Sequence, residues 1–498
     1  MSIHLSQREI RKGYKGVKRL AQKYFAEGKT WQSLVYIKHC AVLAQQFNWI
    51  YADDELEGLL GGIGDRVVEE KVDSFTSIPG RVVFYDDFCT SFVLALQYMR
   101  ALVAQNKEIL YITSKNVSQK TTFDTIVDEV GSYPGVTVKY LQEEKAFDRI
   151  RSLYRLIIDF RPEKLLLHMK AFTYQLPAFY VLPSGIERYI INLADQTFWL
   201  GKKVIDYSLE FRPFGASVSL QRRGLTLEQL LMVPFYPITD KNAFAGFPPE
   251  CAEDKVVVFS GGDMYKVCDC KRTYWNLVKM LLNRHPEIIF LFASKVYRNG
   301  DADIRHFIED NGFADRFFFI GFRKDIYEVF RHCDIYMGTC PASGSLMSQL
   351  AAINGKPILQ YYIPGTPDDE SEQAICFNDR FPFSFSRTED FLEEADLLIR
   401  DPSYRVSQGE RLSRAMIRPE QFNRVVADTL ETNRSQVPFQ TFEVNYQLLN
   451  RRWYELEILG QTNTLSFLYG IFKKGKCLRY VPTILLKMKL SNLISRLQ

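Results

Sequence analysis

The feature that most constrains this chain is a recurring alternation. Short runs of β-branched, aliphatic and aromatic residues are separated by helical stretches of roughly ten to sixteen residues. Arg81–Phe88, Glu108–Ser114, Val136–Leu141, Lys164–Lys170 and Arg188–Asp195 form one set of such runs. Val256–Gly261, Glu287–Ser294, Arg316–Phe322, Asp334–Thr339 and Lys356–Ile363 form a second. Strands spaced this way pair in parallel, with helices covering both faces of the sheet. Between the sets, Pro234–Glu253 is crowded with Pro, Gly and aromatic residues, as a connection between domains would be. The spacing predicts an α/β protein of two doubly wound, Rossmann-like domains facing across a cleft, with helical N- and C-terminal extensions. The boundaries fall at 1–75 (helical extension), 76–240 (first sheet), 241–400 (second sheet) and 401–498 (helices and a basic tail). A chain of 498 residues is long enough for two such cores.

Local chemistry is concentrated where predicted strands end. In the second set the strand VVVFSG runs into Ser260, Gly261 and Gly262, and Lys266 follows one turn later. Glycines expose backbone N–H groups to a phosphate, and an ammonium beside them adds charge. Further on, Ser343, Gly344 and Ser345 open an Ala-rich helix, where unpaired N–H groups and the helix dipole favour an anion. Serine there also reads as an ordinary N-cap. Two anion sites on one parallel sheet suggest a nucleotide diphosphate. In the first set Asp86 and Asp87 end one strand, His168 another and Asp195 a third, with Asp206 and Arg212 beyond. A carboxylate or imidazole at such a rim can accept a hydroxyl proton, and an arginine can pair with phosphate. Asp195 can equally cap a helix, and Asp206 can be a structural partner of Arg212.

The order SGGDMYK, then FIGFRKDIYEVFRHCDIYMGT, then PASGSLMSQLAAINGKPIL resembles the donor domain of GT-B-fold glycosyltransferases, including bacterial enzymes that build surface polysaccharides. The resemblance implies a donor site at Ser260, Gly261, Gly262, Lys266, Ser343, Gly344 and Ser345. In place of the family's ribose-binding Glu stands Gln349, a neutral candidate for the same role. The segment from Ile191 to Gly215 resembles the part of these enzymes that enters the cleft. Asp195, His168 and Lys266 are then the candidate catalytic residues, and Asp86, Asp87, Asp206 and Arg212 the acceptor side. The implied reaction moves a sugar from a nucleotide-diphosphate donor, a UDP-sugar, to a hydroxyl of a carbohydrate or lipid-linked acceptor. Lys266 and the helix dipole would supply the charge that a metal supplies elsewhere, so despite the pairs Asp53-Asp54, Asp86-Asp87 and Asp368-Asp369 no metal or other cofactor is expected. Tyr265-Lys266 also resembles an element of protein O-GlcNAc transferases, so a protein acceptor is the alternative. The absent Glu leaves a catalytically inactive scaffold as another.

Charge is uneven along the chain. Residues 1–30 carry eight Lys/Arg against Glu9 and Glu27, and 458–498 carry seven without an acid, so the ends sum to +13 and the body to −9. The cations are mixed with Leu, Ile, Phe and Tyr, which fits an anionic membrane surface better than nucleic acid. Alternatively Leu485, Leu486, Leu490, Leu493 and Ile494 dock on the body. Nine cysteines without framework spacing suggest a reducing compartment. With no signal-peptide pattern and no run of eighteen apolar residues, the expected location is cytoplasmic, peripheral on the inner face of a membrane.

Overall fold

The computed structural model describes residues 4–88, 94–113, 128–239, 242–251, 255–295, 300–364, 370–460, 464–474 and 478–489. Asp368, Asp369, Leu490, Leu493 and Ile494 lie outside them. The chain divides into two compact units, one of residues 1–233, 422–442 and 463–498, the other of 234–421 and 443–462. The segment 401–498, expected as one appended extension, is thus shared between the two.

The first unit holds a seven-stranded parallel sheet: β1 Ile78–Asp86, β2 Glu108–Thr113, β3 Val136–Tyr140, β4 Pro162–His168, β5 Glu187–Ile191, β6 Tyr207–Glu210 and β7 Leu230–Met232. Their order across the sheet is β3-β2-β1-β4-β5-β6-β7. Strands β6 and β7 are absent from the sequence reading. Three helices, Gln7–Ala26, Thr30–Phe47 and Asp54–Val67, precede the sheet and are built into the unit. The buried Glu57 carboxylate accepts the backbone N–H of Gly201 (2.8 Å), while Gly64 lies so close to the Pro177 carbonyl that a Cβ would stand 2.4 Å from it. In the sequence Trp31, Leu34, Val35, Val42 and Trp49 fall on one face at helical spacing; Trp31 is nevertheless 42% exposed, because the helix packs through Leu34, Ile37 and Ala41.

The second unit holds six parallel strands: β8 Val256–Gly261, β9 Ile288–Ala293, β10 Phe317–Gly321, β11 Ile335–Met337, β12 Ile358–Tyr361 and the short β13 Ser384–Phe385. They are ordered β10-β9-β8-β11-β12-β13. Successive residues of a strand point to opposite faces. Val258, Phe290 and Phe292 accordingly join one apolar cluster with the helices Thr273–Arg284 and Thr388–Arg400. Val257, Phe259, Ile289 and Leu291 join another with Ser345–Ile353 and Pro402–Ala415. Burial on both faces explains why these strands read as unbroken apolar runs.

Gly409, inside Pro402–Ala415, meets the chain at Gly355 so closely that a Cβ would stand 1.8 Å from the Gly355 carbonyl oxygen. That neighbour is backbone and cannot swing aside. Gly409→Ala should therefore cost about 3 kcal/mol, at the upper end of ordinary overpacking. In calorimetry the second unit's transition should fall by roughly 6–12 °C; an unchanged transition would mean that the helix slides freely.

Candidate functional site

In a doubly wound sheet the loops after the two strands flanking the reversal of strand order diverge to opposite faces, leaving a crevice at their carboxyl ends. In the second unit those strands are β8 and β11. β8 ends on Gly261 and the loop after it opens with Gly262; the loop after β11 leads through Thr339 to Ser345. The structure brings these loops together.

Gly262 has φ +155°, a conformation L side chains rarely adopt, and its N–H donates to the Ala293 carbonyl (3.0 Å). The bend feeds a single 3-10 turn, Met264–Val267, on which Lys266 sits half-buried. The helix Tyr446–Gly460 packs on this turn. The Lys266 carbonyl accepts the N–H of Ala342 (3.2 Å), tying the β8 loop to the β11 loop. The Lys266 ammonium donates to the Ser343 carbonyl at 3.3 Å, and a Cβ on Gly344 would stand 3.3 Å from it. Gly262 lies under the same side chain: a Cβ there would meet Lys266 Cδ at 3.4 Å and Thr339 Cγ2 at 3.7 Å. Both glycines leave room along the lysine.

The helix Ser345–Ile353 starts at this point. Its N-cap is Gly344, which has no side chain with which to cap it. The first intrahelical bond runs from the Ser348 N–H to the Gly344 carbonyl (3.0 Å), and the N–H groups before it point out of the helix start. A primary ammonium, a glycine bend and a helix N-terminus thus converge within one unit, a constellation suited to an anion with several oxygens. Thr339 was not singled out in the sequence. Its buried hydroxyl donates to the Ala342 carbonyl (2.7 Å) and holds the loop that presents Ser343. A Thr two residues past a strand is a weak signal that only the fold makes legible.

Two candidates in this unit have other duties. Ser260 is fully buried, and its hydroxyl accepts Tyr274 OH at 2.7 Å, so its side chain braces the sheet against Thr273–Arg284. Gln349 is 1% exposed and donates its amide to the carbonyls of Phe235 (3.0 Å) and Ala374 (2.9 Å). Its place is beneath the surface, fastening two loops, and a ribose hydroxyl does not reach it there.

In the first unit the strand order reverses between β1 and β4. Their last residues, Asp86 and His168, are register partners, and His168 Nδ1 stands 3.0 Å from Asp86 Oδ1. Asp86 also accepts Tyr111 OH (2.6 Å) and the Phe88 N–H (3.0 Å), and the Phe88 ring stacks on the imidazole at 4.6 Å. Both side chains are buried, and His168 Nε2 has no hydrogen-bond partner among the described residues. Asp87, half-buried beside them, accepts Thr173 Oγ1 at 3.4 Å. A carboxylate on one imidazole nitrogen with the other left unengaged is the arrangement of an oriented proton acceptor.

Asp195, Arg212 and Asp206 require correction. Asp195 and Arg212 are 1% and 3% exposed and form a two-pronged ion pair, Nε to Oδ2 at 2.6 Å and Nη2 to Oδ1 at 3.0 Å. The fully buried Arg223 adds Nη2 bonds to the carbonyls of Asp195 (2.6 Å) and Thr197 (2.7 Å). Beside them Glu210, at the end of β6, is held by Asn192, Ser208 and Ser219, and burial pushes its carboxyl above the usual carboxylate range. Asp195 is thus a structural anion rather than a proton acceptor for substrate, and Arg212 is its counterion. Asp206 lies at the opposite, amino-terminal end of the strands, just before β6 begins, where it accepts the Arg188 N–H (2.8 Å). It borders a surface cavity of about 530 Å³ together with Gln229, Asn433 and Ser435, remote from the carboxyl ends of the strands.

No protein-family model matches the sequence, and no curated protein matches it either. Solved structures do. A mutant O-GlcNAc transferase from Thermobaculum terrenum superimposes with a TM-score of 0.54 at 13% identity, covering 89% of this chain and 84% of its own. A glycosyltransferase from Rickettsia africae superimposes with a TM-score of 0.52 at 10% identity over 73% of this chain and 98% of its own. At such identities the likeness is one of architecture, and with the two doubly wound parallel sheets it establishes that the chain has the GT-B fold.

Proposed function

We propose that the protein is a glycosyltransferase that moves a sugar from a nucleotide-diphosphate donor, a UDP-sugar, to a hydroxyl of a carbohydrate or lipid-linked acceptor. The observation that carries this reading is the convergence of Lys266, the Gly262 bend and the start of Ser345–Ile353 at the β8/β11 switch point. Transfer breaks the bond between the anomeric carbon and the diphosphate oxygen, so negative charge grows on the leaving group. Backbone N–H groups fixed in place and one ammonium stabilise that charge without reorganising. The same groups make a metal unnecessary for the leaving group. Titration with UDP, followed by calorimetry, tests the site: micromolar binding that weakens at least tenfold in Lys266→Ala supports it, and no binding to the wild type overturns it.

The acceptor hydroxyl must lose a proton; His168, fully buried with the Phe88 ring stacked on it, would take it once that ring moves aside, with Asp86 fixing its tautomer and orientation. His168→Gln should lower turnover by a hundredfold or more, and Asp86→Asn by roughly ten- to a hundredfold, with UDP affinity unchanged in both. Full turnover in His168→Gln would remove the imidazole from the chemistry. Labelled donor incubated with lysate and then separated into lipid, glycan and protein fractions distinguishes a lipid-linked or carbohydrate acceptor from a protein one. Absence of donor turnover under every condition would favour a binding scaffold.

A further inference from the structure

The two basic ends of the chain meet. Residues 464–474 and 478–489 do not trail away from the first unit: Leu468, Phe472, Val481 and Ile484 are 0–1% exposed, and Phe472 and Val481 lie against the N-terminal helix Gln7–Ala26. Gly13 of that helix touches Phe472 and Val481, and Gly16 touches Tyr480, so closely that a Cβ at either would clash. Lys487 donates to the His4 carbonyl (2.6 Å) and reaches Glu9 at 3.3 Å, and Thr483 also bonds Glu9. Glu9 is the only acid in Gln7–Ala26, and these bonds engage it.

What remains outward on the helix is cationic. Arg8, Arg11, Lys12, Lys15 and Arg19 recur at spacings of one, three and four residues, all exposed, and none forms an ion pair among the described residues. Arg8, Arg11, Lys12 and Lys15 line a concavity of about 560 Å³ together with Gln7. On the tail segment packed against the helix, Leu485 and Leu486 turn outward at 46% and 49% exposure, next to the buried Ile484 and Lys487. The expectation that these two leucines dock on the body fails for them. An uncompensated row of cations bordered by exposed leucines is the combination that an anionic bilayer rewards twice, through charge and through apolar burial.

We infer that this composite face, made by the N-terminal helix and the tail packed on it, docks the protein on an anionic lipid bilayer. The cations meet the headgroups, and Leu485 and Leu486 enter the acyl boundary. This inference does not depend on sugar transfer, and its test needs no donor. Each Lys or Arg at an anionic surface adds about fivefold to partitioning. The full chain should float with vesicles of phosphatidylglycerol and phosphatidylcholine (about 3:7) at ~50 mM salt, and stay behind with pure phosphatidylcholine. Binding should fall steeply by ~500 mM salt. Arg11→Glu with Lys12→Glu and Lys15→Glu should lower partitioning a hundredfold or more, and Leu485→Ser with Leu486→Ser roughly tenfold. Circular dichroism checks that both variants remain folded. No flotation of the wild type with phosphatidylglycerol vesicles overturns the inference. So does equal retention in the charge-reversed variant, or binding to RNA with none to vesicles.

Discussion

Lys266→Ala should lower transfer turnover by a factor of a hundred to a thousand while leaving the melting transition close to that of the wild type. The magnitude is that of removing one preorganised donor from a developing oxyanion, about 3–4 kcal/mol. Structural damage should be small because the lysine is only half-buried and its bond to the Ser343 carbonyl is a long one at 3.3 Å. The turn carrying it is held independently by the Lys266 backbone, through its N–H to Asp263 (2.9 Å) and its carbonyl to Ala342. Initial rates of donor consumption, measured beside UDP titration, separate the possibilities. If the ammonium acts mainly as charge develops, turnover falls far more than UDP affinity. If both fall equally, it grips the diphosphate uniformly. Unchanged turnover would show that the lysine props the Ser343 loop and does nothing to the leaving group, and the transferase reading would lose its main support.

How much of this site could be read in advance depends on the range of the interactions that make it. A strand buried on both faces declares itself locally, and so does the glycine turn that ends it, so Val256–Gly262 was legible. That Lys266 meets the helix start 77 residues later depends on strand order, with β8 and β11 adjacent at the reversal. Strand β6 escaped notice because Ser208 and Glu210 face a buried polar network, which makes a core strand look like a polar loop. Gln349 suggested a ribose ligand by its place on the helix. Its amide is spent on two carbonyls, one of them 114 residues away, which composition could not show. Trp31 matched an apolar helix face, yet the neighbouring elements cover Leu34 and leave the indole 42% exposed. Periodicity gives a face; tertiary packing decides which part of it is covered.

Asp195 and Arg212 show the same limit and carry the largest expected loss of stability. Both lie at the carboxyl end of the sheet, where catalytic groups are sought, but each is buried and committed to the other. Arg212→Ala leaves the Asp195 carboxylate without its counterion in a site of little water, a change that typically costs about 3–5 kcal/mol. Arg223 would still hold the Asp195 backbone, and the two acids lie close together, since a Cβ built on Gly215 would stand 2.6 Å from Glu210 Oε2 and 3.0 Å from Asp195 Oδ2. The uncompensated anion therefore sits beside another carboxyl, which worsens its position. Denaturant unfolding of the first unit should show the loss, and the paired variant Asp195→Ala with Arg212→Ala should recover part of it, since no lone charge remains. Asp195→Asn distinguishes structural from catalytic roles: reduced stability with near-normal turnover per folded molecule is expected. Full stability with turnover lost a thousandfold would make Asp195 the proton acceptor after all, and would displace His168 from that role.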